Sequence, residues 1–144
     1  MEEVARLMRG FADGSIPGSQ LAAGLGVETS GIDLSREHWS FTAGDLPTAD
    51  GYRIESFEVR VRQGGFDDAP FVLLYVHDTP CLPFRQFALA AGAHERVEFP
   101  SSAHDPASGW VSGYAHESES GGRFLVASGH DEWKCVTLMT AARN

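Results

Sequence analysis

Residues 110–141 constrain the fold of this chain more than any other stretch, because they read as three strands joined by two tight turns. Val111-Ser112-Gly113-Tyr114-Ala115-His116-Glu117 alternates small or apolar residues with larger polar ones, the period-2 signature of a strand with two unlike faces. Gly121-Gly122 accepts the positive φ that a two-residue hairpin demands. Residues 124–130 then run back, Asp131-Glu132 makes a second turn, and residues 133–140 run out again with Val and Thr that favour a strand over a helix.

With both turns as two-residue loops, Glu119 faces Phe124, Ala115 faces Ser128, and Ser128 faces Cys135. One face then carries Val111, Gly113, Ala115, Phe124, Val126, Ser128, His130, Trp133, Cys135, Thr137 and Met139. The other carries Tyr114, His116, Leu125, Ala127, Val136 and Leu138. Neither face is polar enough to be wholly solvated. The first is expected on the main core and the second at least partly covered.

Ahead of this sheet the chain supplies helices and further strands. Residues 2–12 predict an amphipathic helix, with Val4, Leu7, Met8 and Phe11 at i, i+3, i+4 and i+7. Glu2 and Glu3 favour its positive end, and Gly14 stops it. A short helix over 19–25, capped by Ser19, is expected next. Residues 38–42 predict a short strand with Trp39 and Phe41 on one face. Residues 52–62 predict a strand with Phe57, Val59 and Val61 inward and Glu58, Arg60 and Arg62 toward water. The charges on that face argue against a large apolar interface between copies. Residues 71–76 are apolar on both faces and belong centrally in a sheet. Pro83 opens a helix through Ala91, and residues 95–99 predict another strand. The fold class is therefore α+β: a twisted antiparallel sheet of five or six strands, with the N-terminal helix and the 83–91 helix packed on one face.

The chain of 144 residues fits one globular domain spanning 1–144. Its net charge of −9 argues against nucleic acid and against anionic membrane surfaces. The first residues lack the pattern of a signal peptide, and no apolar run reaches spanning length. Cys81 and Cys135 have no CxxC spacing and read as reduced thiols in a cytoplasmic protein, with a single disulfide between them as the alternative. Cys135 reads as strand packing, and Cys81 as a loop residue within reach of His77.

Each of the six histidines has an acidic neighbour, as in His77-Asp78 and His130-Asp131-Glu132. Neighbours on a strand point to opposite faces, so adjacency in sequence does not make a catalytic pair. There is no HxH, HExxH or Cys/His cluster, so no metal and no cofactor are expected. The expected function is that of a non-enzymatic cytoplasmic protein-binding domain, of the acidic inhibitor, immunity or chaperone type. It would meet another protein, a basic one by preference, through carboxylates on rigid turns. Asp67, Asp68, His77, Asp78, His130, Asp131 and Glu132 are the candidate binding residues. The alternative is a small pocket-bearing enzyme or small-molecule-binding protein using His77, His130 and the carboxylates at strand ends.

Overall fold

The computed structural model describes residues 1–28, 39–61, 67, 69–100, 110–128 and 134–143. Three helices, α1 (Glu2–Asp13), α2 (Gly18–Gly24) and α3 (Phe84–Ala90), accompany seven strands. These are β1 (Trp39–Pro47), β2 (Arg53–Val61), β3 (Phe71–Val76), β4 (Glu95–Pro100), β5 (Trp110–Glu117), β6 (Arg123–Ser128) and β7 (Leu138–Ala142). The strands form one open antiparallel sheet in the order β1-β2-β3-β7-β6-β5-β4. The α+β class stands, with seven strands in place of five or six.

The helices lie over one face of the sheet. α1 packs on β6 and β7 and against α2, and α3 packs on β6. Val4, Leu7, Met8 and Phe11, the stripe visible in the sequence, are all buried. They meet Phe57, Val72, Leu74, Phe124, Val126 and Met139 from the sheet in one apolar core. Burying such side chains stabilises the fold by about 1.5–3 kcal/mol each before the entropy of ordering them is subtracted.

The β5–β6 hairpin corrects the sequence reading. Glu117 pairs with Arg123 and Ala115 with Leu125, so the connection is five residues long rather than two. Ser118 organises it: its N–H donates to Gly122 O (2.8 Å), its hydroxyl reaches the same oxygen (3.1 Å), and Gly121 N–H returns to Ser118 O (2.9 Å). The shift against the expected pairing is odd, so it turns the other half of β5 toward the core. Ser112, Tyr114 and His116 join Phe124, Val126 and Ser128 on the helix side, while Gly113 and Ala115 go to the opposite face.

The β6–β7 pairing is also displaced, with Val126 opposite Met139 and Phe124 opposite Ala141. That shift is even, so Met139 stays on the core face where the sequence placed it.

A second correction concerns the cysteines. Cys81 and Cys135 form a disulfide with Cα atoms 5.2 Å apart, so neither is a free thiol and neither serves as a nucleophile in this state. The segments they join run side by side. Phe84 N–H donates to Lys134 O (3.0 Å), Val136 N–H donates to Leu82 O (2.8 Å), and Pro83 bridges to Cys135.

Arg143 ties three loops to the sheet. Its Nε donates to Phe11 O (2.9 Å), Nη1 to Asp67 O (2.5 Å) and Nη2 to Ile16 O (2.6 Å), and its guanidinium lies 4.1 Å from the centre of the Phe11 ring. One planar cation thus satisfies carbonyls at the end of α1, in the α1–α2 loop and in the loop before β3. Arg143→Ala is expected to cost about 2–3 kcal/mol, and Arg143→Lys most of that, because an ammonium cannot reproduce the fork. Urea unfolding of the two variants beside the parent checks this.

Candidate interaction face

The face of the sheet away from the helices is built in three rows, which follow from the strand registers. The first runs Arg60, Phe71, Ala142, Arg123 and Glu117 across β2, β3, β7, β6 and β5. The second runs Glu58, Leu73, Thr140, Leu125, Ala115 and, on β4, Glu95. The third runs Ser56, Tyr75, Leu138, Ala127, Gly113 and Val97. No described helix or strand packs on this face.

The centre of the face is apolar. Phe71, Leu73, Leu125, Leu138 and Val97 are half-buried, and Tyr75 is 46% exposed, one of two large hydrophobic side chains most open to solvent among the described residues. Between them Gly113, Ala115 and Ala127 are buried, and at Gly113 a Cβ would stand 2.8 Å from Leu125 Cδ1, 2.9 Å from Val126 O and 3.4 Å from Val97 Cγ2, so that position is already filled. The flanks are charged with both signs. On β2, Arg60 lies over the Phe71 ring (5.7 Å) with Glu58 at 3.9 Å. On the other side stand the exposed Arg123, Glu117 and Glu95. An apolar centre with a charged rim is the anatomy of a protein-binding patch.

Of the residues expected to bind a partner, Asp67, His77 and Asp78 are placed elsewhere. Asp67 caps α2: its carboxylate accepts the Ser19 N–H (3.1 Å) and the Ser19 hydroxyl (2.5 Å). Ser19 is therefore capped rather than capping, and Pro17 takes the N-cap position. The Ser19 hydrogen bonds, aided by the nearby Arg143 charge, hold the Asp67 carboxyl below its ordinary value of 3.8. A carboxyl lowered by folding gives stability that is present above its unfolded pKa and lost as pH falls through the folded one. Asp67→Asn is thus expected to be less stable than the parent at pH 7, with the difference shrinking as pH falls below the ordinary carboxyl value of 3.8. Thermal melts at pH 7, 4 and 2.5 check this. A charge reversal at Asp67 accordingly perturbs the fold, so it does not isolate a binding effect.

His77 and Asp78 follow β3 at one end of the sheet. His77 is half-buried, and its N–H donates to Arg53 O (3.0 Å). Asp78 is exposed, 3.4 Å from the Thr79 hydroxyl. Arg53 pairs with Asp45 across the β1–β2 hairpin, and that guanidinium keeps the Asp45 carboxyl below the usual range, with His77 contributing. Asp68, His130, Asp131 and Glu132 lie outside the described residues.

Two clefts flank α1. One of about 600 Å³ is lined by Val4, Leu25, Thr48, Asp50, Tyr52 and Leu82, among others. The other, about 400 Å³, lies between α1 and α3 and includes Arg6, Arg9, Asp13, Ser15 and Phe87. Their polar groups are engaged with one another. The Thr48 hydroxyl donates to Asp50 (2.6 Å), Arg9 donates to Ala91 O (3.1 Å) and lies 3.4 Å from His116 Nε2, and Asp13 accepts the Ser15 N–H (2.8 Å). Neither cleft is lined by His77 or Asp78. Among the described residues, no three His, Cys, Asp or Glu side chains converge, and no helix is long and apolar enough to cross a membrane.

Sequence reasoning missed Tyr75, Leu73, Leu138 and the two flanks as a unit. The signal was present in 71–76, which is apolar on both faces, but which charges border it depends on the pairing of distant strands. No protein-family model, no curated protein and no solved structure matches this chain.

Proposed function

We propose that this domain works without chemistry of its own, by binding another polypeptide through the open face of its sheet. The observation that carries this reading is the apolar patch spanning β3, β7 and β6, with Tyr75 standing 46% exposed on β3. A patch of this kind on the face of a sheet suits a broad polypeptide surface, whereas small ligands favour concave pockets. The rim bears Arg60 and Arg123 as well as Glu58, Glu95 and Glu117, so the fitting partner presents mixed charge rather than a purely basic surface.

The test places a photo-crosslinking amino acid at Tyr75, with the same group at Leu89 on α3 as the control, since Leu89 is exposed to a similar 42%. A discrete polypeptide adduct is expected from position 75 and not from position 89. Leu73→Asp is expected to abolish it while the circular dichroism spectrum and melting midpoint hold. Equal labelling from both positions, or none from 75, overturns the reading.

A further inference from the structure

We infer that the open face pairs with a second copy of this chain about a two-fold axis running along β7. This rests on the protein-binding reading of the same face and names the partner. β7 is the fourth of seven strands, so an axis parallel to it, lying in the plane between two facing sheets, lays β3 over β6 of the second copy and β2 over β5. Each row then falls on its own counterpart in reverse order.

The first row sets Arg60 against Glu117 of the second copy and Phe71 against its Arg123, so that opposite charges and a cation and a ring come together. The middle row sets Leu73 on Leu125 and Thr140 on itself. The third sets Tyr75, 46% exposed, over the strand position of Ala127, and Leu138 on Leu138. The natural angle of about 30° between face-packed sheets keeps these matches closest near the axis.

The rival in-plane axis, crossing the strands at the middle row, would stack Glu58 on Glu58 and Glu95 on Glu95. Of these two axes, charge favours the one along β7, which stacks no like charges. Of the β2 charges that argue against self-association in the sequence, Arg60 lies at the rim and meets Glu117 of the second copy, while Glu58 falls over Ala115.

The experiment is sedimentation of the purified, disulfide-intact chain from about 1 to 100 µM, a span that brackets dimers of ordinary strength. The expected mass is twice the 15.6 kDa of the chain. R60E and E117R alone are each expected to raise the dissociation constant about tenfold, and the double variant R60E/E117R to recover to within about threefold of the parent. Both side chains are exposed, so the monomer fold is expected to survive, and circular dichroism verifies it.

A 15.6 kDa species throughout overturns the proposal, as does a dimer indifferent to Leu73→Asp or one that the double reversal fails to restore. The Tyr75 crosslink separates the two levels. An adduct of twice the chain mass supports self-pairing, an adduct of another mass overturns self-pairing and leaves the protein-binding reading standing, and no adduct removes both.

Discussion

Removing the Cys81–Cys135 bridge lowers the unfolding free energy by about 4 kcal/mol, the largest single effect expected in this protein. The bridge closes a loop with a sequence separation of 54, and in the chain-entropy account the unfolded ensemble regains that much freedom when the loop opens. The folded state keeps most of its contacts, because the backbone hydrogen bonds between 82–84 and 134–136 hold the segments together without the sulfurs.

A Cys81→Ala/Cys135→Ala variant, and the parent under a dithiol reductant, are both expected to unfold at much lower urea, with native-like circular dichroism at zero denaturant. A loss below about 1 kcal/mol would show that this loop is not what the bridge restrains. The bridge also removes one of the two grounds for a cytoplasmic location, the reduced state of both thiols. Disulfides of this kind persist in oxidising compartments.

Gly122→Ala is expected to cost more than about 3 kcal/mol, well above an ordinary glycine substitution. A Cβ at this position would stand 1.7 Å from Ala12 O, 2.7 Å from Ala12 C and 3.0 Å from Ala142 O. All three are backbone atoms, so no side chain can swing away, and the end of α1 must lift from the β6–β7 ladder. Gly51 supplies the contrast. Its φ is +89° and nothing lies within 4 Å of its Cβ position, so Gly51→Ala pays only the strain of a left-handed backbone, about 1 kcal/mol. Equilibrium unfolding of the two variants side by side tests the difference. Equal losses would mean that α1 does not rest on the hairpin as described.

Gly122 also explains where the sequence misled. Gly121-Gly122 looks like a two-residue turn because local rules see only the freedom of glycine. Gly121 does adopt a positive φ of 90°, but Gly122 is glycine because a helix far away in sequence presses on it. The loop is five residues long, and β5 is inverted against the expected pairing. The stripe of α1, the alternation of β2 and the two-faced β3 were legible, since each depends on period alone. The disulfide, the capping of α2 by Asp67 and the seating of Arg143 were not, because their partners lie about 50 residues or more away and nothing local marks them. The candidate face shares this division. Its apolar strand was visible, while its rows and their charges emerged only with the order of the strands.

That order has a consequence for how the protein is made. β1 to β3 form one antiparallel meander and β4 to β6 another, and only β7 joins them. Until residues 138–142 are synthesised, β3 and β6 each lack the strand that pairs their inner edge, and β7 then completes both ladders. Synthesis leaves those edges open to wrong partners for longer than a fold whose central strand comes first. Variants that weaken β7 are thus expected to reveal themselves as lower yield before they reveal themselves as lower melting temperature.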